Sequence, residues 1–175
     1  MERYVVLLRG VNVGGINIKM VDVKELFKTL EFEKVETVLA TGNIIFSDKN
    51  DTTCLKSMIE RELRKKFKYD AWVVVLKMST LEEIIENFPF EDDEDLHGYV
   101  IFTSKDGTLD ELASLDGDDQ RTQLFKDSDL DVLYWEVPKG QTTKSTVGKY
   151  LNKKKFKEHV TTRNLKTLKK ILAKK

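Results

Sequence analysis

Apolar and polar positions along the chain follow either the period of a strand or the period of a helix. Tyr4–Leu8 (YVVLL) is continuously apolar and rich in β-branched residues, which is typical of a strand buried on both faces. From about Asp22, apolar residues recur three and four positions apart, and Glu25 follows Asp22 at the spacing of a capping box. The chain is therefore expected to open with a strand, a glycine-rich loop and a helix.

The next segment predicts a hairpin, a helix and another strand. The stretches VETVLA and NIIFS flank Thr41-Gly42 as two strands flank a turn. Helical spacing of apolar residues extends from Thr52 to Phe67, and AWVVVLKM has the composition of a buried strand. The resulting order, β-α-β-β-α-β, is that of the ferredoxin-like split β-α-β fold.

The same order of elements begins again after the helix STLEEIIENF, which opens with the capping-box pair Ser79 and Glu82. The pattern then predicts a strand at GYVIFTS, a helix at 108–115 capped by Thr108, a hairpin from RTQLFK and DVLYWEV, and a helix at 143–151. A short basic helix from about Asn164 to Lys174 closes the chain. The order β-α-β-β-α thus occurs twice.

These patterns predict an α+β protein made of two ferredoxin-like halves with mostly antiparallel sheets, plus a C-terminal helix. The expected boundaries are residues 1–78 for the first half, 79–96 for a connecting helix and acidic linker, and 97–175 for the second half with the basic helix. Hydrophobic residues make up 40% of the chain, which is enough for a packed core.

Charge is distributed unevenly although the net charge is zero. Residues 89–131 contain 14 acidic and 3 basic side chains, whereas residues 144–175 contain 12 basic and 1 acidic side chain. Such asymmetry indicates either a basic binding surface or two solvated faces that attract each other within the molecule.

The sequence also favours a cytoplasmic location. The N-terminus lacks the features of a signal peptide, and no apolar stretch approaches the length of a membrane span. The single cysteine, Cys54, excludes an internal disulfide and suits a reducing environment. A cytoplasmic protein without a membrane association is expected.

The loop LRGVNVGGINIK is the first candidate for binding. Glycines at the end of a strand permit positive φ angles, and successive N–H groups in such a loop can hold an anion, with Arg9 adding charge. The spacing of Gly10, Gly14 and Gly15 matches neither G-x-G-x-x-G nor the Walker loop, and the helix begins too late to receive a phosphate in the same way. The alternative is an ordered loop whose glycines serve only its backbone.

Two more candidates lie near the C-terminus. In TTRNLKT, Asn164 or a threonine is expected to cap the last helix, and its free N–H groups with Arg163 beside them suit an anion. In TTKSTVGK, the neighbours Lys144 and Ser145 point in different directions and do not form a Ser-x-x-Lys dyad. They are interpreted as a helix cap and a surface residue.

Three of these segments together carry a resemblance. LLRGVNVGG, ATGNIIF and TTKSTVGKYL…TTRNLKTLKKI, in this order, resemble the bacterial DUF1697 family of SP0830-like proteins of unknown function. The positions that match the family pattern are Arg9, Gly10, Asn12, Gly14, Gly15, Gly42, Asn43, Lys144, Ser145, Thr162, Arg163, Asn164 and Thr167. The resemblance implies a two-lobed α+β fold and no settled activity.

The chain departs from that family pattern at two positions. Family members commonly have serine at the position of Thr41, so this chain retains a hydroxyl there. Leu165 stands where they commonly have tryptophan, and the change weakens a site only if that tryptophan stacks on a ligand.

The resulting hypothesis is a site where the glycine-rich loop, the Thr41-Gly42-Asn43 turn and the Thr162-Arg163-Asn164 cap meet. Its expected ligand is an anionic or phosphorylated small molecule, with Arg9 and Arg163 as charge partners and Asn12 and Asn43 orienting it. No catalytic constellation or metal-ligand spacing is recognisable, and neither a cofactor nor an oligomeric state follows from the sequence.

Two alternatives stay open. The basic C-terminal helix is an RNA-binding candidate, although the chain lacks the stacking aromatics of an RRM. The other alternative is a structural or partner-binding protein that takes no small ligand.

Overall fold

The computed structural model describes residues 1–10, 17–115 and 121–175. It divides into two compact units, the first comprising Met1–Glu82 and Lys170–Lys175 and the second Glu83–Lys169. Asn12, Gly14 and Gly15, three of the predicted site residues, lie outside the described residues.

The first unit contains one four-stranded antiparallel sheet with two helices. Its main elements are β1 (Glu2–Leu8), α1 (Met20–Thr29), β2 (Glu33–Thr37), β3 (Asn43–Asp48), α2 (Thr52–Phe67) and β4 (Val73–Lys77). The strand order β2-β3-β1-β4 is that of a ferredoxin-like sheet, as the sequence predicted. The central strand β1 is buried from Tyr4 to Leu8, which explains its continuous apolar run.

Helix α1 begins earlier than its capping pattern predicted. The helix starts at Met20 with Lys19 at the N-cap and has no side-chain cap, so the predicted Asp22–Glu25 capping box is wrong. Ile18, just before the helix, is 4% exposed and belongs to the core of this unit. Burial of the entry to the helix, rather than a cap, therefore sets its start.

The first core is built mainly from aromatic and aliphatic side chains of β1, β3, α1 and α2. Phe46 on β3 stacks on Phe32 at 4.4 Å and meets Phe27 edge-on at 5.5 Å between ring centroids. Such pairs add to the free energy gained by burying their surface. Helix α2 starts at Thr52 as predicted, and Asp51 caps it by accepting from the Cys54 N–H at 2.8 Å.

The remaining elements include the strands of a second sheet, which has its own core. They are α3 (Met78–Glu86), β5 (Leu96–Thr103), α4 (Thr108–Ala113), β6 (Gln123–Asp127), β7 (Val132–Pro138), α5 (Thr146–Leu151), α6 (Lys154–Lys157), β8 (Val160–Asn164) and α7 (Leu165–Leu172). The sheet order β6-β7-β5-β8 repeats that of the first sheet, and all the pairings are antiparallel. The predicted α+β class with two ferredoxin-like halves is confirmed.

Strand β8 and helix α6 were not predicted. Val160–Asn164 has no apolar run, yet it pairs with β5 along five registered positions from Tyr99 to Thr103. The second half is therefore a complete β-α-β-β-α-β unit in which α5 and α6 together connect β7 to β8. The predicted caps also shift: α3 begins at Met78, and Gly107 rather than Thr108 is the N-cap of α4.

Across the described ranges, no helix combines the length and the apolar character that crossing a bilayer requires. The same residues contain no group of three or more histidine, cysteine or acidic side chains arranged to hold a metal ion.

Candidate functional site in the first unit

The predicted site residues fall into both units. Arg9, Gly10, Thr41, Gly42 and Asn43 lie in the first unit, and the second unit contains Lys144, Ser145, Thr162, Arg163 and Asn164. A single site built from all of them stays a prediction. The residues of each unit are therefore described in turn.

In the first unit, backbone pairing brings the end of β1 and the Thr-Gly-Asn turn together. The Leu8 N–H donates to the carbonyl of Gly42 at 2.7 Å, and the Arg9 N–H donates to the carbonyl of Trp72 at 3.1 Å. Gly10 and Gly42 both have positive φ, which glycine adopts without the steric cost of a Cβ. The end of β1, the start of β3 and the residue before β4 thus meet at one end of the sheet.

Asn43 holds the turn that precedes β3. It is fully buried, and its side-chain amide donates to the carbonyl of Val38 at 2.9 Å and to the Thr41 hydroxyl at 2.8 Å. The Val38 N–H in turn donates to the carbonyl of Asn43 at 2.9 Å. These bonds give Asn43 a structural role in shaping the turn, whereas the exposed Thr41 lies where solvent reaches it.

Beside Arg9 lie two aromatic residues that the sequence interpretation did not single out, Tyr69 and Trp72. Trp72 is only 9% exposed, and among the described residues neither its indole Nε1 nor the Tyr69 hydroxyl has a hydrogen-bond partner. Buried polar groups are rarely left in this state, because each one loses its water without gaining a bond. Two donors next to an arginine therefore define a candidate binding site.

Positively charged side chains lie near Tyr69 and Trp72. Burial raises the pKa of the Tyr69 hydroxyl to about 12, while the positive charges of Arg9 and Arg64 oppose the shift. The hydroxyl consequently keeps its proton at neutral pH and can donate it in a hydrogen bond. Lys56 on α2 places its ammonium 5.0 Å from the centroid of the Trp72 ring. Arg9, Tyr69, Trp72 and Lys56 are called the Arg9 cluster below.

A buried carboxylate supports this cluster from α2. Glu60 is 9% exposed and accepts from the Val73 N–H at 3.1 Å, which ties the helix to the start of β4. Lys56 lies 3.6 Å and Arg64 3.9 Å from its two oxygens. Arg64 also donates to the carbonyl of Ala71 at 2.8 Å, so the segment that carries Tyr69 and Trp72 is fixed to α2 on both sides.

In the second unit, α5 begins at Thr146 rather than at 143 as predicted, and Ser145 is its N-cap. Its hydroxyl accepts from the Gly148 N–H at 3.1 Å and donates to the carbonyl of Thr142 at 3.0 Å, and the residue is 5% exposed. Lys144 is exposed beside it. Neither residue has the geometry of an activated nucleophile, because the hydroxyl is committed to the backbone on both sides.

The Thr162-Arg163-Asn164 segment is mainly a strand, not a helix cap. Thr162 and Arg163 lie within β8, and only Asn164 caps α7, where its side chain accepts from the Lys166 N–H at 2.8 Å. The Arg163 guanidinium is 8% exposed and donates to the Thr161 hydroxyl at 2.7 Å and to the Thr162 carbonyl at 3.1 Å. Its burial lowers the pKa of the guanidinium to about 10, which leaves it charged at neutral pH.

Comparisons with known proteins agree with these two sheets. A family model described as "Protein of unknown function (DUF1697)" matches residues 1–130. No curated protein matches the chain. Among solved structures, the conserved bacterial protein SP0830 from Streptococcus pneumoniae is similar, with a TM-score of 0.80 and 26% sequence identity over 98% of this chain and 97% of its own.

Proposed function

The chain belongs to the DUF1697 family, as its motifs predicted, and from that premise we propose that the protein binds an anionic or phosphorylated small molecule at the Arg9 cluster. The proposal rests above all on Trp72 Nε1 and the Tyr69 hydroxyl, two buried donors that have no partner among the described residues. Ligand oxygens would supply the missing acceptors. Arg9 is followed in the chain by Gly10, the first glycine of the glycine-rich loop.

The chemistry of the cluster favours an anion over a neutral ligand. Arg9 is a forked donor suited to phosphate and carboxylate groups, and burial beside aromatic rings strengthens such bonds because water competes less. Lys56 and Arg64 add positive charge, whereas Glu60 is held between them by its own contacts. The Thr41 hydroxyl is an exposed polar group on the turn whose Gly42 carbonyl pairs with the end of β1.

Thermal unfolding with inorganic phosphate, pyrophosphate and a panel of phosphorylated metabolites tests the proposal. A ligand that binds only the folded state stabilises it by RT ln(1 + [L]/Kd), so Tm rises with the free ligand concentration and with the affinity. Arg9→Gln should weaken the binding about 10- to 100-fold, because a hydrogen bond to a charged group contributes about 1.5–3 kcal/mol. Trp72→Phe, which keeps the ring and removes the Nε1 donor, should weaken it as well.

The matched control is Arg61→Gln. Arg61 lies on α2 of the same unit, is 70% exposed and pairs only with its neighbour Glu62 among the described residues. It should leave the response unchanged. An anion response that is equal in Arg9→Gln and the wild type would refute the proposal, and so would the absence of any response across the panel. The RNA-binding alternative instead predicts affinity for RNA that falls steeply with salt.

A further inference from the structure

The second unit contains a cavity of about 710 Å³ that none of the predicted motifs describes. It lies between the end of α3, the acidic segment before β5, the ends of β5 and β7 and the start of α7. Six carboxylate side chains and three lysines line it, which gives its wall a formal charge of −3. The volume is in the range of small-molecule sites.

Glu136 of β7 is the most deeply buried carboxylate among the residues that line this cavity. The residue is 4% exposed, and its carboxylate accepts from the Gln123 side-chain amide at 3.3 Å. Burial, and then the nearby Asp93 carboxylate, raises the pKa of Glu136. Asp93 itself pairs with Arg121 at 3.0 Å; the Arg121 charge and the Gln123 hydrogen bond oppose the shift at Glu136, which forms no ion pair of its own within the described part of the chain. A buried, unpaired carboxylate is unfavourable unless a cation reaches it.

The lysines that line the cavity form no ion pairs among the described residues. Two of them are Lys139 and Lys166. Both lie close enough to His97 that their charges lower its pKa, after burial, which has the larger effect. His97 Nδ1 is buried without a hydrogen-bond partner among the described residues. These residues therefore offer positive charge and an unused ring nitrogen.

Apolar side chains complete the lining of the cavity. The Phe88 ring meets Phe90 edge-on at 5.3 Å and Tyr134 at 5.6 Å between centroids. It packs directly on Gly98, where an added Cβ would lie 2.6 Å from its ring. The glycine thus lets Phe88 lie against β5, and Leu165 of α7 completes the apolar lining.

We propose that this cavity binds a basic amino acid or a close relative: a small zwitterion with an aliphatic stem and a net positive charge. Its ammonium groups would lie at Glu136 and the neighbouring acidic residues, its stem over Phe88, and its carboxylate at Lys139 and Lys166. A ligand with charges of both signs satisfies both the carboxylates and the lysines of the lining, whereas a simple anion or a simple diamine satisfies only one of these groups. The excess of carboxylates in the wall selects a ligand with more positive than negative charge.

Isothermal titration with L-arginine, L-lysine and L-ornithine tests this assignment, with cadaverine and putrescine as probes that lack the carboxylate. We expect at least one basic amino acid to bind, and the diamines to bind at least 10-fold more weakly. Glu136→Gln keeps the shape and the Gln123 contact but removes the charge, and should weaken the binding at least 10-fold. Lys166→Gln should remove the preference over diamines.

The same variants show whether a loss of binding is a loss of folding. Because the native state raises the pKa of Glu136, it carries more protons than the unfolded state between the two pKa values, so stability falls as the pH rises through that window. Glu136→Gln removes this penalty and should leave Tm at neutral pH unchanged or higher. The matched control, Glu158→Gln, changes an exposed carboxylate of the same unit and should not alter binding.

Three results would overturn the proposal. One is the absence of binding by all three amino acids at concentrations up to 10 mM, about the weakest affinity of interest for a small ligand. Another is equal affinity for amino acids and diamines, and the third is unchanged affinity in Glu136→Gln. Arg9→Gln should not affect this binding, so the assignment stands or fails separately from that of the Arg9 cluster.

Discussion

Replacing Gly148 by alanine should destabilise the second unit by about 3 kcal/mol, at the upper end of the usual cost of overpacking. A Cβ at this position would lie 1.8 Å from the carbonyl oxygen of Thr142 and 2.9 Å from its carbonyl carbon. These are backbone atoms, and the Thr142 carbonyl is held by the Ser145 hydroxyl at 3.0 Å. Relief of the clash therefore requires the loop before α5 to move and the cap of α5 to break.

Tryptophan fluorescence during urea unfolding measures this effect. The chain has two tryptophans, Trp72 in the first unit and Trp135 in the second. In a Trp72→Phe background the signal comes from Trp135, which is 1% exposed and belongs to the core of the second unit. Its unfolding midpoint should fall sharply in Gly148→Ala.

Gly140→Ala is the matched control. Gly140 lies in the same unit, and a Cβ added there would meet nothing within 4 Å among the described residues, but its φ is +79°. The expected cost is about 1–2 kcal/mol from the left-handed backbone alone. If Gly148→Ala is no more destabilising than this control, Thr142 does not pack against Gly148 as closely as described, and the prediction is refuted. The expected result would mean that the TTKSTVGK segment, including Ser145, has a structural role in the N-terminal cap of α5.

Elements with a strong apolar pattern could be predicted from the sequence. Strand β1 and helix α2 fall where their patterns placed them, because each buries a face composed of Val, Ile, Leu and other apolar residues at the expected spacing. Helix starts were less predictable. At α1 the buried Ile18 fixes the entry of the chain, so the polar pair Asp22 and Glu25 lies inside the helix and caps nothing.

Strand β8 could not be predicted from its own residues. Thr161, Thr162, Arg163 and Asn164 are polar, and the segment becomes a strand because β5 offers it a free side of the sheet. Pairing of this kind is decided by a partner about sixty residues away, and local propensity does not report it. The role of Arg163 as a buried strand residue depends on the same pairing.

The candidate site likewise combines residues that could be predicted from the sequence with residues that could not. Arg9, Gly10 and Gly42 were visible in the sequence as a glycine-rich strand end and a turn. Trp72 and Tyr69 were not, because an aromatic residue beside an apolar strand has the pattern of a core residue. The pairing of β1 with β4, extended by the bond from the Arg9 N–H to the Trp72 carbonyl, joins distant parts of the chain and places the indole and phenol donors beside the arginine.

Asn43→Ala should destabilise the first unit by about 2–3 kcal/mol, since a net hydrogen bond contributes about 1 kcal/mol and an orphaned buried acceptor costs a further 1–3 kcal/mol. The amide of Asn43 gives one hydrogen bond to the Val38 carbonyl and one to the Thr41 hydroxyl, and the residue is fully buried. Alanine removes both bonds and leaves a small void. Urea unfolding followed by the emission of Trp72 in a Trp135→Phe background measures the change.

Thr41→Val separates the structural role of Asn43 from a role in ligand binding. It removes only the exposed acceptor of the pair and should cost less than about 1 kcal/mol. If Asn43→Ala proved as mild as Thr41→Val, the amide would not be needed for the turn, and its predicted role in orienting a ligand would gain support. A large loss of stability, which we expect, would mean that Asn43 affects the site indirectly. It holds the turn that contains Gly42, and the carbonyl of Gly42 accepts from the Leu8 N–H at the end of β1, next to Arg9.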